Sequence, residues 1–144
     1  MKVFIAADHA GFALKNALTE HIRTLGYKVE DMGAFTADPD DDYPDFMTPL
    51  AKRVANETDA RGIIIGGSGQ GEAMCANKIP GIRAAVYYGE NPEIISLSRE
   101  HNNSNILSLG ARFISEEEAK AAVKLFLDTS FSGDERHVRR LAKF

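Results

Sequence analysis

The chain holds a single cysteine, Cys75, in 144 residues. A lone thiol excludes an intrachain disulfide framework and fits a cytosolic protein. No apolar run approaches the roughly 20 residues that a membrane-spanning helix needs. No signal-type segment opens the chain either, since Met1 and Lys2 lead straight into a strand-like run. Positive charge is not in excess. The formal net charge is -4, which argues against general binding to nucleic acid or to an anionic membrane. No repeat, low-complexity tract or linker divides the sequence, so residues 1–144 read as one domain with a sizeable core. With 44% hydrophobic and 26% charged residues, the composition is that of ordinary soluble domains.

The most hydrophobic run, Gly62-Ile63-Ile64-Ile65, reads as a buried strand: short, β-branched and unbroken by polar residues. Directly after it stands Gly66-Gly67-Ser68-Gly69-Gln70-Gly71-Glu72, with four glycines in six positions. Glu72 to Lys78 reads as a short helix stopped before Pro80. A glycine-rich turn between a strand end and a helix start aims several backbone N–H groups at one place, where an anion or a developing oxyanion can sit. The spacing of Gly66 and Gly71 imitates a P-loop, but Glu72 and Ala73 stand where a P-loop has Lys and Ser or Thr. A carboxylate there repels a polyphosphate, which argues against nucleoside triphosphates. The dinucleotide fingerprint fits poorly too, because it belongs to the first strand–helix turn and wants an acidic residue about 20 positions on. Two readings stay open on the loop alone. Either Glu72 is a base beside a hole for the oxyanion it creates, or it is a favourable first-turn charge on a tight turn.

Strand-like runs occur at Val3–Ala7, Tyr27–Asp31, Gly62–Ile65, Ile82–Tyr87 and Ile106–Leu109. Between them, Leu14, Leu18, Ile22 and Leu25 recur at helical spacing before Gly26, and Pro44-Asp45 opens a helix through Leu50 and Val54. Asn91-Pro92 starts a further helix. Ser115 and Glu118 form a capping box ahead of one with Ala119, Ala122, Val123 and Phe126 on one face. A last helix is expected between Asp134 and Phe144. Strands alternating with helices predict a five-stranded parallel sheet covered on both faces, an α/β architecture. Ligands in such sheets bind at the carboxyl ends of the strands, near a topological switch point. On that rule Asp8, His9, the Gly66–Glu72 loop and the regions of His101 and Arg112 are expected at one edge.

Each candidate has a plainer reading beside it. Asp8 is either a ligand contact or a helix cap, with His9 merely exposed in the second case. His101 is a general acid or base, or a cation at a helix C-terminus. Asp38, Asp40 and Asp42 match the first ligands of a calcium loop, but position six is Tyr43 rather than Gly and position twelve is Pro49 rather than Glu. That segment reads as a solvated acidic loop that delivers Tyr43 to a site. No His, Cys and carboxylate set has convincing metal-ligand spacing. Cys75 has no activating neighbour in sequence and reads as a packed small residue. Arg136 and Arg140 share a helix face; either they are a solvated surface, or with Arg112 they suit one phosphate group.

The combination and order of several short motifs resembles the type B ribose-5-phosphate isomerases. They are Ala7-Asp8-His9-Ala10-Gly11-Phe12, Asp42-Tyr43-Pro44, Gly66 to Glu72, Ala76-Asn77-Lys78, Gly81-Ile82-Arg83, Arg99-Glu100-His101-Asn102-Asn103, Gly110-Ala111-Arg112 and Arg136-His137. The wider family includes galactose-6-phosphate and allose-6-phosphate isomerases, and the resemblance runs from Met1 to the tail. It implies a Rossmann-like three-layer α/β/α sandwich. It also implies a homodimer or dimer of dimers with shared active sites, to which the C-terminal helix reaches across. The reaction implied is interconversion of ribose 5-phosphate and ribulose 5-phosphate without metal or organic cofactor.

Carried over by resemblance, Glu72 moves the proton between C2 and C1. Amides of Gly67, Ser68, Gly69, Gln70 and Gly71 stabilise the enediolate, with Ser68 beside the substrate. Asp8 and His101 assist ring opening, while Tyr43 and Asn102 or Asn103 contact the sugar. His9, Arg112, Arg136 and Arg140 hold the phosphate, some from the partner chain. One branch of the family carries a Cys two residues before the Ser or Thr of the loop; Gly66 stands there in this chain, so it resembles the branch with a Glu base. Val138 and Arg139 depart from the polar residues common in that tail, and Arg139 competes with Arg140 for the phosphate role. The alternatives are an isomerase of a six-carbon sugar phosphate and a phosphate or nucleotide sensor without turnover, the latter leaving Glu72 unexplained.

Overall fold

Side chains of successive strand residues point to opposite faces of a sheet, so a strand buried on both faces needs an unbroken apolar run. β1 (Lys2–Ala7), β3 (Ala60–Gly66) and β5 (Ile106–Gly110) are such strands. β2 (Lys28–Asp31) and β4 (Ala84–Tyr87) are shorter, half-exposed and stand at the edges. In the computed structural model, which describes residues 1–144, the order is β2-β1-β3-β5-β4 and every pairing is parallel. The connecting helices are α1 (Phe12–Thr24), α2 (Pro44–Asn56), α3 (Gln70–Ala76), α4 (Glu93–Glu100) and α5 (Glu116–Asp128), with α6 (Glu135–Leu141) at the tail.

The result is a Rossmann-like α/β/α sandwich with two apolar layers. Val3, Ile5, Ile63, Ile65 and Leu107 meet Leu18 and Ile22 of α1 and Val123 and Phe126 of α5. On the other face Phe4, Ala6, Ile64 and Ile106 meet Met47, Leu50 and Val54 of α2 and Ala76 of α3. The Ser115–Glu118 capping box forms in both directions and stabilises α5 by about 1 kcal/mol.

Two boundaries move for physical reasons. β4 starts at Ala84 rather than Ile82, because the Arg83 amide donates to Asn105 Oδ1 at 2.8 Å instead of joining the ladder. The Asn77 side chain then pairs with the backbone of this edge strand, accepting from Ala84 N at 2.8 Å and donating to Ala84 O at 3.1 Å. α3 begins at Gln70 and ends at Ala76, so its first turn is built from the glycine-rich loop itself. Between β1 and β3 the chain changes direction across the sheet, which makes the space beyond their carboxyl ends a crevice.

Candidate active site

Four turns build this crevice. At the end of β1 Asp8 is buried, and its Oδ1 accepts from the amides of Ala10 at 2.9 Å and Gly11 at 3.2 Å. Asp8 therefore organises its own turn rather than capping α1, whose cap residue is Gly11. At the end of β3 the loop is clamped against β5. The Ala111 amide donates to Gly66 O at 2.9 Å, the Arg112 amide to Gly67 O at 3.1 Å, and Ser108 Oγ to Gly69 O at 2.6 Å. Gly69 sits at φ 77, in the left-handed region that favours glycine, and turns the chain into α3. Ser68 Oγ accepts from Gln70 N at 3.3 Å.

Glu72, in the first turn of α3, is only 4% exposed. Its carboxylate lies directly over Gly66, where any Cβ would overlap it. Burial pushes the Glu72 carboxyl above the usual carboxylate range, the Asp8 charge adds to the rise, and hydrogen bonds from the amides of Glu72 and Gly69 oppose it. Tyr43, which caps α2, approaches the loop so closely that a Cβ at Gly71 would fall 2.8 Å from its hydroxyl. The Arg112 guanidinium approaches in the same way, 3.2 Å from where a Cβ at Gly67 would be. Asp8, His9, Tyr43, Ser68, Glu72 and Arg112 line one open cleft of about 400 Å³, with Ala10, Gly67, Gly71 and Phe113. Such a cleft offers backbone amides, a carboxyl group whose pKa burial raises, a guanidinium and an imidazole.

The other candidates lie elsewhere. His101 caps the C-terminal end of α4. A helix returning from a parallel strand ends at the amino edge of the sheet, and Arg83 confirms the placement by donating from Nε to Asn103 O at 2.9 Å just ahead of β4. The cleft lies at the carboxyl edge, one strand length or roughly 15 Å away. The expectation that the turns after strands one, three, four and five gather with His101 at one edge is thus corrected for a single chain: the four turns share the carboxyl edge, Tyr88 after β4 lying against Phe113 after β5, and His101 does not. The His101 ring stacks on buried His137 of α6 at 4.3 Å between centroids and 17° between planes. Asn102 opens onto a separate groove with Arg83 and Ser104. Asn103 adopts φ 47, and its Oδ1 accepts from Arg99 at 3.0 Å. Arg136, Arg139 and Arg140 project from α6 into solvent, and none forms an ion pair. Gln70 sits at the start of α3 with its side chain exposed.

A model of the family described as Ribose/Galactose Isomerase matches residues 3–144. The chain belongs to the ribose/galactose isomerase family. Ribose-5-phosphate isomerase B of Mycolicibacterium paratuberculosis is 43% identical over 141 residues, covering 98% of this chain and 87% of that relative. The crystal structure of ribose-5-phosphate isomerase B from Mycoplasma genitalium with bound ribulose-5-phosphate is 40% identical. It superposes with a TM-score of 0.93, over 99% of this chain and 92% of that one. The enzyme of the same name from Clostridium thermocellum superposes at 0.92 with 42% identity, over 99% and 94%.

Within this family site the acidic loop is not wholly solvated. Asp41 Oδ1 lies 2.6 Å from His9 Nδ1 and also accepts from the His9 amide at 3.2 Å. Sequence reasoning missed Asp41, which belongs to a run of acids separated from its partner by 32 positions. Asp8, His9 and Asp41 also form a set whose candidate metal-ligand atoms all lie within 4.8 Å of one another. One ligand atom of each is already engaged, with Asp8 Oδ1 on two amides and Asp41 Oδ1 on His9 Nδ1. Cys75 stands apart, its Sγ 3.3 Å from Thr48 Oγ1 beside the α2 core.

Proposed function

We propose that this chain interconverts ribose 5-phosphate and ribulose 5-phosphate, with Glu72 as the proton carrier. The single observation that carries this reading is the Glu72 carboxylate, buried over Gly66 in a cleft walled by loop amides, with its pKa raised toward the working range of a general base. From the open-chain aldose, Glu72 takes the C2 proton. The electron pair moves to the C1 carbonyl oxygen, giving an enediolate beside the amides of residues 67 to 71. Glu72 then returns its proton to C1 while the C2 hydroxyl proton passes to the C1 oxyanion, leaving a ketone at C2 and a hydroxyl at C1. Asp8 and His101 assist ring opening, and Tyr43 with Asn102 or Asn103 holds the sugar hydroxyls.

His9, Arg112, Arg136 and Arg140 bind the phosphate. Because His101 and α6 lie at the opposite sheet edge, a second copy of the chain supplies them, in a homodimer or dimer of dimers. Binding energy from the phosphate, remote from C1 and C2, fixes the reacting carbons. A five-carbon substrate is favoured over six by the names of the relatives and by the ribulose-5-phosphate bound in one of them.

The test is incubation with ribose 5-phosphate in heavy water. Ribulose 5-phosphate carrying deuterium at C1 is expected, since the proton on Glu72 exchanges with solvent between removal and return. Binding without product, from ribose 5-phosphate and from allose 6-phosphate alike, would instead favour a sensor.

A further inference from the structure

The pairing of His9 with Asp41 is built with more care than a surface ion pair. Asp41 is held in the loop before α2, and its side chain is only 9% exposed. One oxygen, Oδ1, accepts both from the His9 ring and from the His9 amide, so the carboxylate grips residue 9 by side chain and main chain together. The other oxygen, Oδ2, is buried without any hydrogen-bond partner. A buried carboxylate with one unpaired oxygen is costly unless a cation stands against it. The His9 ring is the group in contact, its Nδ1 2.6 Å from Oδ1, and protonation makes that ring the cation. That leaves Nε2, on the far side of the ring, without a protein partner in the cleft it shares with Arg112.

We propose that Asp41 is a positioning residue that holds His9 as an imidazolium with Nε2–H presented to the substrate's phosphate. This deepens the isomerase reading and rests on it for the identity of the substrate. Arg112 supplies charge at the same place from the end of β5, and His9 adds a directed donor from the end of β1. Asp8, next to His9, adds its charge but makes no hydrogen bond to the ring, its Oδ1 being held by the amides of Ala10 and Gly11.

The groups facing His9 are Asp8 from β1, Asp41 from the loop before α2, Tyr43 from the start of α2, Glu72 from α3 and Arg112 from β5. The hydrogen bond to the Asp41 carboxylate is the main influence and raises the His9 pKa above 6.5. Desolvation and Arg112 oppose the rise, while the Asp8 and Asp41 charges reinforce it. The binding form of His9 is therefore present below that raised value and lost as pH climbs through it. The substrate's phosphate becomes a dianion above about pH 6. Affinity is thus greatest in the window between the two.

The test uses the full-length Asp41→Asn protein, in which the amide still fits the space but carries no charge. The His9 imidazole is titrated by NMR without substrate, and KM and kcat for ribose 5-phosphate are followed against pH. The proposal expects a lower His9 pKa and an upper limb of affinity moved to lower pH. At mildly alkaline pH it expects KM raised about tenfold with kcat nearly unchanged, the sign of lost uniform binding. A purely structural Asp41 would lower the active fraction and leave the pH profile in place. An unchanged His9 pKa, or a fall in kcat with KM unmoved, overturns the proposal.

If Asp41→Asn does not fold, wild-type ¹⁵N shifts provide the decision. Two protonated ring nitrogens near neutral pH, with Nε2 perturbed by inorganic phosphate, support the proposal, and a neutral ring overturns it. Should the wild type prove inactive on ribose 5-phosphate while His9 still shifts with Asp41→Asn and still senses phosphate, the isomerase reading fails and this inference stands.

Discussion

The two ends of the sheet carry two different kinds of polar chemistry. At the carboxyl edge Asp8 and Glu72 are buried and the Asp41 side chain is 9% exposed, and backbone amides or a ring nitrogen satisfy much of their hydrogen bonding. At the amino edge, Arg136 and Arg140 stand in solvent without an acidic partner, beside a histidine stack. The first is preorganised, because its dipoles are fixed before any ligand arrives. The second is a set of exposed guanidinium donors without ion pairs, and in a ribose/galactose isomerase family the difference suggests a division of labour. On the proposed function, the buried edge moves the proton and holds the phosphate through His9 and Arg112, and the exposed edge of a second copy adds Arg136 and Arg140 to that grip.

Removing the carboxylate sharpens this comparison most. Glu72→Gln is expected to lower kcat about a thousandfold or more while leaving sugar-phosphate binding in place, measured by isomerase assay and calorimetry. Gly66→Ala attacks the same group from beneath. Its methyl overlaps the carboxylate and displaces it, so kcat is expected to fall about a hundredfold with unchanged circular dichroism. At the exposed edge, Arg136→Ala and Arg140→Ala are each expected to raise KM about tenfold and leave Tm alone, because neither guanidinium holds the fold together. Arg139→Ala is the control; a larger effect there than at Arg140 would exchange their roles.

The smallest effect is on stability. Glu72 has a raised folded-state pKa, so folding favours its protonated form. That contribution is present below the unfolded-state pKa and lost as pH rises through the folded-state value. Glu72→Gln, neutral throughout, is therefore expected to melt a few degrees above the wild type at alkaline pH, with the gap closing in acid.

The architecture was legible because the inner strands are apolar on both faces and each is followed by a helical period or a cap. The Gly66–Glu72 loop was legible because close approach by a carboxylate, a guanidinium and a phenol leaves little room for side chains at residues 66, 67 and 71. Asp41 was hidden, since an acid amid other acids looks solvated and its partner is remote in sequence. Buried Lys15, paired with Asp31 between α1 and β2, was hidden in the same way. His101 was misplaced for another reason. It follows a helix rather than a strand, and residues after a returning helix belong to the amino edge.

The central claim is that Glu72 of one copy works with His101 of another. Glu72→Gln and His101→Asn chains, each nearly inactive on ribose 5-phosphate, are to be co-expressed in equal amounts and assayed as the mixture. Shared sites predict recovery to about a quarter of wild-type activity, because half the dimers are mixed and each of those rebuilds one intact site. A mixture no more active than its parents would contradict the account.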